Sequence, residues 1–527
     1  MPSLATVGIG IWGSLMSNGT LLAGGLSAAV TSVELLVVVG YLLVALLVGL
    51  VAYRLTGTSA EDYYLASRSL GTLVLLFTTF ATLLSAFTFF AGPNLAYGQG
   101  PEWILVMGTM DGILFALLWY LIGYKQWLIG QRHGYVTLPE MLGDRFGSTR
   151  LRGLVAGISL FWLFPYVMLQ QMGAGEALVG LTGGAVPYWG GAALITVFMI
   201  LYVGLAGMRG VAWTDTIQGL FMLSVIWIAV AWVLSAIGGA GVAAAGLEAN
   251  NPTFLALGSS FYTPAYIIST AVVIAFGVTM FPQINQRFFV AESAAVLKRS
   301  FRLWPVLVLL LFVPAFLLGT WAAGLGVSVP EGANVLPVLL REYTPAWFAA
   351  LVIAGAMAAM MSSSDSMLLS GSSYFTRDLY RPFVEPSATA TREAWLARGG
   401  VVAFATATFL ASLTRPGTLI QVGSTAFGGF AQLTLPVMVA LYWANTTRVG
   451  MFAGIGASQL LYLSHVFLPT TPIEIGGQTV RLFARTYGGW DVALAGMVLG
   501  AALTVGVSWL TTAGTEEIAE RFAVGAD

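Results

Sequence analysis

The sequence has no cysteine, two histidines, and only 9% charged residues among 527. Without cysteine there can be no disulfides, thiolate metal sites or cysteine nucleophiles. His133 and His465 lie far apart in the chain, which argues against a histidine-rich metal centre, a bis-histidine haem or a histidine proton relay. A formal net charge of −1 supplies no basic field to hold nucleic acid. Soluble chains carry about 25% charged side chains, so polar surface here is too scarce to face water. What the chain has instead is 58% hydrophobic residues and a mean hydropathy of +0.86. That composition is the composition of an all-α polytopic membrane protein.

A bilayer core about 30 Å thick takes about 20 apolar residues per helix. Thirteen such runs are predicted, at 33–53, 71–96, 103–124, 153–180, 189–208, 214–238, 265–285, 303–325, 346–372, 399–414, 420–443, 449–468 and 489–511. If the first enters from outside and the spans alternate, all but four of the 22 lysines and arginines fall inside; the exceptions are Arg341, Arg415, Arg481 and Arg485. The positive-inside rule therefore predicts an outside N-terminus and a cytoplasmic C-terminus. The expected organisation is an extracellular segment 1–32, one transmembrane domain 33–511 and a cytoplasmic tail 512–527, in the cell (inner or plasma) membrane. GIGIWG at 8–13 matches G-x-G-x-x-G but lacks the strand and amphipathic helix that a dinucleotide site needs.

Two spans read as interrupted. The run 71–96 has Ser85 and Thr88 near its middle and Gly92-Pro93 beyond, and the run 265–285 has Gly277 mid-span and Pro282 ahead of Gln283. Backbone freed by such residues survives in a membrane only when buried in protein or facing a cavity. The two lie five spans apart in opposite orientation, the pattern of an inverted-repeat transporter. The reading is a 5+5 core with repeats 71–238 and 265–443, and extra helices 33–53, 449–468 and 489–511. Proline and glycine are also common in ordinary membrane helices.

Polar residues narrow the function. In 346–372, Ala359, Ser362, Ser363, Ser366, Ser370 and Ser373 share one helical face, with Asp365 at its edge. Serine stripes can simply pack helices closely. An aspartate at mid-helix, costing about 3 kcal/mol on insertion scales, favours a partner or an ion. Asp215, in AWTDTIQG, reads either as an ion ligand or as a helix N-cap. Asp111 stands alone in its span, where it could bond a neighbour, line a vestibule or bind a proton. Gln170 and Gln171, behind Pro165-Tyr166, are candidates for a polar cavity.

With these segments the chain resembles the sodium/solute symporter family from about Asp62 to Trp443. The likeness rests on DYYLASRSL (62–70), DRFGSTRLRG (144–153), GMRGVAWTDTIQG (207–219), QINQRF (283–288) and MSSSDSMLLSGSSYFTRDLY (361–380). It implies a leucine-transporter-like core and a sodium site in which Ala81, Leu84 and Ala359 give backbone oxygens and Ser362 and Ser363 give hydroxyls. It also implies a second ion site at Asp215, Ser362, Asp365 and Ser366, although some members have serine where this chain has Asp365. The family's substrate contacts fall on Leu83, Ser85, Thr88 and Met107, flanked by Phe87 and Phe89, with Gln171 and Gln283 as further candidates.

The expected activity is sodium-coupled symport of a small organic solute by alternating access, with Na+ as coupling ion and no organic cofactor. So apolar a pocket suits a monocarboxylate or amino acid better than a sugar, whose hydroxyls would go unpaired. The competing reading is proton coupling through Asp365, Asp215 or Asp111. An intramembrane serine hydrolase is disfavoured because no G-x-S-x-G elbow or placed histidine accompanies the serines. A passive channel is disfavoured by the lack of a charged ring or an arginine ladder. The partners expected are the substrate and the lipid bilayer, with the protein acting as a monomer and binding no nucleic acid.

Overall fold

A computed structural model describes residues 33–54, 65–205, 208–475 and 478–511. The expectations for 1–32 and 512–527, and the first residues of the DYYLASRSL segment, lie outside the described residues. The long elements are α1 (Val33–Arg54), α2 (Thr72–Leu83), α3 (Phe87–Gln99), α4 (Ile104–His133), α5 (Thr149–Thr182), α6 (Tyr188–Leu205), α7 (Met208–Ile237) and α8 (Pro264–Thr279). They continue with α9 (Pro282–Phe289), α10 (Ala294–Gly324), α11 (Ala346–Phe383), α12 (Ala390–Ser412), α13 (Leu419–Tyr442), α14 (Arg448–Phe467) and α15 (Val492–Leu510).

Every one of the predicted apolar runs coincides with a helix or a bent pair of helices. Among the described residues nine helices are long and apolar enough to cross a bilayer, or eleven if each bent pair is one span. Two shorter apolar helices, Val33–Gly49 and Tyr188–Val203, accompany them. The least regular run, 399–414, belongs to a helix that begins earlier, at Ala390, where Thr389 caps it by accepting from the Arg392 amide. Between α14 and α15 the chain forms an antiparallel hairpin, β1 (Thr471–Ile475) with β2 (Gln478–Leu482).

Both expected interruptions exist, the first beside Ser85 rather than at Gly92-Pro93, and the second directly before Pro282 rather than at Gly277. α2 and α3 meet at 62° and α8 and α9 at 57°. The first helix breaks at Leu84, whose backbone is extended (φ −74°, ψ 126°), about two turns before Gly92-Pro93. Gly92 sits inside a helix, where an added Cβ would lie 2.1 Å from the Phe316 ring. The second break falls at Phe281 (φ −59°, ψ 132°), just beyond α8; Gly277 stays helical and lets the Phe427 carbonyl approach. Those glycines serve helix contact, and the chain opens beside them.

The centre of the molecule is α11. From Phe348 to Ser373 every residue except Leu351 is buried. α11 packs on α1, α2, α7 and α9, and α2 packs on α7 and α10. A helix buried on all sides has no face left for lipid, so its hydroxyls must be satisfied by protein, water or a ligand.

Candidate functional site: hydroxyls and carbonyls at the first break

Leu84 leaves the helix, and the carbonyls around it lose their intrahelical donors. Ser363 of α11 supplies one: its Oγ donates to the Thr82 carbonyl at 2.8 Å and also to the Leu84 carbonyl. Ser362 turns to the other side and donates to Asp215 Oδ1 at 2.6 Å. Ser366, one turn further on, shares a hydrogen bond of 2.9 Å with Thr82 Oγ1. Ala81, Leu84, Ala359, Ser362 and Ser363, the expected sodium ligands, are thus all buried where α2 meets α11.

The stripe divides its work. Ser370 donates to Ser366 O within α11; Ser364 and Ser372, which lie off the stripe, likewise donate to Met360 O and Leu369 O. That is the helix-packing role of membrane serines. Ser362, Ser363 and Ser366 make the interhelical bonds.

Asp215 is not a helix cap. It lies two turns inside α7, 1% exposed. Besides Ser362, it accepts from Thr78 Oγ1 at 2.6 Å and from Arg287 Nη2 at 3.2 Å through Oδ2. Arg287, also 1% exposed, comes from α9 and donates to Ser366 Oγ at 2.6 Å and to Thr78 Oγ1 at 3.2 Å. The oxygens expected to form a second ion site, those of Asp215 and Ser366, are therefore engaged by a guanidinium. Sequence reasoning missed Arg287 by counting it among cytoplasmic loop charges. The signal was its place in QINQRF, five residues beyond Pro282, at the end of an apolar span. Asp365 is buried, and its Oδ1 has no hydrogen-bond partner among the described residues.

The expected substrate residues divide as well. Ser85, Phe87 and Thr88 are buried at the break, Met107 is buried and Leu83 is half-buried. Ser85 Oγ lies 3.1 Å from Tyr166 Oη and accepts from the Phe87 amide. The Ala86 amide donates to Gln170 Oε1 at 2.9 Å. In this conformation the amides opening α3 are thus capped from within the protein. Gln171 is turned away from the break: its Nε2 donates to Thr196 Oγ1 and to the Ala405 carbonyl, which ties α5 to α6 and α12. Its neighbour Gln170 is the glutamine at the site, because successive helical residues point about 100° apart. Gln283 is buried with neither amide atom bonded among the described residues.

Aromatic rings cover this region. Tyr166 lies 4.9 Å from Phe281 and 5.3 Å from Phe427, and Phe87 meets Phe427 edge-on at 5.0 Å. Phe281 and Phe427 stack at 5.8 Å. Nothing in the periodicity of the sequence distinguished these rings from ordinary core.

A helical bundle with two opened spans and hydroxyls clamping freed carbonyls is the arrangement of an ion-coupled membrane transporter. The sequence matches the Sodium:solute symporter family over residues 63–457, and the chain belongs to that family. It is 29% identical to the sodium/pantothenate symporter of Escherichia coli (strain K12), over 81% of this chain and 89% of that protein. To the high-affinity proline transporter PutP of Bacillus subtilis (strain 168) it is 26% identical, covering 79% and 89%. Among solved structures it resembles a Na+-coupled sialic acid symporter in a substrate-bound outward-open state, with TM-score 0.75 and 19% identity, over 92% of this chain and 98% of that one. The protein is a multi-pass membrane transporter of the sodium-coupled symport class, and it is not an enzyme.

Proposed function

We propose that the chain imports a small organic solute together with sodium, and that the ion sits where Ser362 and Ser363 meet the carbonyls of Ala81, Leu84 and Ala359. The observation that carries this reading is the junction of Ser363 with the opened backbone of α2. Hard monovalent cations favour oxygen ligands, which hydroxyls and unwound carbonyls provide. Asp365 supports it: Arg287 pairs with Asp215, while buried Asp365 keeps an oxygen without a partner among the described residues that a bound cation nearby would satisfy.

The two halves 71–238 and 265–443 act as inverted repeats that rock about this point. One positive charge moving inward through 100 mV releases about 2.3 kcal/mol, and a tenfold gradient adds about 1.4 kcal/mol. Together these sustain roughly 500-fold accumulation of a neutral solute. The substrate is a monocarboxylate or an amino acid, because the residues around the break offer few hydroxyls and many rings. Replacing sodium with choline at fixed pH in a proteoliposome uptake assay should abolish accumulation. Uptake that persists in choline and follows a proton gradient would refute sodium coupling. Both carboxylate oxygens of Asp111 are buried without a partner among the described residues, which is the observation favouring that proton-coupled alternative. Asp215 suits it less, being held by Arg287.

A further inference from the structure

One large cavity lies on the hairpin side of the break, outside the residues already assigned. Its volume is about 1260 Å³, and part of it runs along the flank of α5. Trp162, Pro165, Ile274 and Val422 make its apolar wall, and Gln421 and Arg485 stand at its mouth. Trp162 contributes only a ring surface, since its Nε1 is committed to Gln459 Oε1 at 2.9 Å. Tyr166 and Phe427, two of the rings that cover the break, come one to two turns further along the same helices, and Phe281 lies just beyond the end of α8. The cavity wall thus runs up to the neighbours of that ring cover.

Arg485 follows β2, and its guanidinium is held over this space. Nη2 donates to Thr425 Oγ1 and to Tyr462 Oη, each at 3.2 Å, and the guanidinium lies 5.5 Å from the Tyr462 ring centre. Hydroxyl acceptors fix its position, and Asp491, which lines the same cavity, lies near enough to couple to it electrostatically. Among the described residues no carboxylate comes within 4 Å of it. The acid nearest in sequence, Asp491, is occupied at Oδ1 in capping α15 through the Ala493 amide at 2.8 Å. Gln421, which also lines the cavity, uses its Oε1 to close a capping box with Thr418, and its amide NH2 group makes no hydrogen bond among the described residues. A held cationic fork beside an amide donor, above an apolar chamber, suits one ligand chemistry: a carboxylate with an apolar body.

We infer that this chamber is a loading site for an organic monoanion. Arg485 binds the carboxylate, and the wall receives an aromatic or branched aliphatic tail before the solute passes the ring cover. The inference rests on the reading of the chain as a carrier of small organic acids or amino acids, and it sharpens that reading to acids with a hydrophobic tail.

The test uses the full-length protein in detergent with phenylacetate, 4-methylpentanoate and phenylpyruvate as probes and phenylacetamide as the uncharged control. Thermal unfolding is followed in saturating sodium. The wild type should be stabilised by at least one of the acids and not by phenylacetamide. Arg485→Gln should raise the half-saturating acid concentration about tenfold or more, and Arg485→Lys should recover part of the loss. Tyr462→Phe removes one anchor of the guanidinium but keeps its charge, so its effect should be small. The inference falls if no acid stabilises the wild type at millimolar concentration, or if Arg485→Gln binds the acid as well as wild type. It also falls if Tyr462→Phe loses as much affinity as Arg485→Gln, because Arg485 would then only fasten the hairpin. Sodium-dependent stabilisation of the wild type without any acid tests the ion reading separately, so the two failures are distinguishable.

Discussion

The two breaks differ in what satisfies them. At the first, the carbonyls of Thr82 and Leu84 turn outward from α2, and Ser363 reaches them from another helix. At the second, the chain seals itself: Asn285, inside α9, donates from Nδ2 to the carbonyls of Thr279 at 3.1 Å and Phe281 at 2.9 Å. A local cap satisfies the carbonyls of a break from within the same segment, so the acceptors left without a partner among the described residues there are side-chain oxygens, those of Gln283, Asn285 and Gln286. A donor borrowed from a neighbouring helix can rotate away, so the first break can exchange hydrogen bonds for ion contacts. The comparison supports the proposal of an ion at the first break, where the carbonyls depend on a donor from another helix. It also explains why Arg287 comes from α9: the self-sealed half-helix is a firm base from which a guanidinium can meet Asp215.

The largest effect should come from breaking the link between the two breaks. Arg287→Met would leave Asp215 buried without its cation. Removing one member of a buried pair costs about 3–5 kcal/mol, to be read as a large fall in thermal stability, with transport lost. Recovery of stability in the double variant Arg287→Met with Asp215→Asn would identify the penalty as that of the orphaned charge. If Arg287→Met is as stable as wild type, the pair does not join the two half-helices.

Next, Ser363→Ala removes the donor to the opened carbonyls. Apparent sodium affinity should fall about tenfold or more, with membrane insertion intact. Sodium-dependence curves that superimpose on wild type would reverse the assignment of the ion to the first break. Asn285→Ala should act in the opposite sense, lowering stability by about 1–3 kcal/mol while leaving the apparent sodium affinity unchanged. The smallest contrast lies within α5. Gln170→Ala should raise the substrate concentration needed for half-maximal uptake, whereas Gln171→Ala should cost only stability, about 1 kcal/mol. Equal transport defects in the two would show that the direction of these side chains does not matter.

Much of this was legible in the residues. Apolar runs of bilayer length were read as helices because every backbone polar group in lipid must be bonded within the segment. The serines were legible as a stripe, because helical spacing fixes which positions share a face. It was not legible which serines would cross to a neighbour. Ser363 and Ser370 share the face, yet one bonds the opened carbonyls of α2 and the other bonds back to Ser366. Only the position of the neighbouring helix separates them. Pro282 marked the second break, which falls at Phe281 just before it, whereas Gly92 and Gly277 answer to the close approach of Phe316 and Phe427.

By itself the sequence determined that the chain lives in a bilayer, that two of its spans open, and that hydroxyls share one face of the span 346–372 with Asp365 at its edge. These follow from composition and from periodicity along one element, which local physics reads directly. The tertiary structure decided the partnerships: Arg287 with Asp215, Gln170 rather than Gln171 at the break, and Arg485 lining the apolar chamber. Each joins residues from elements distant in sequence. A charge or an amide takes its role from what folding places within about 3 Å of it, and that distance is set by how the helices pack.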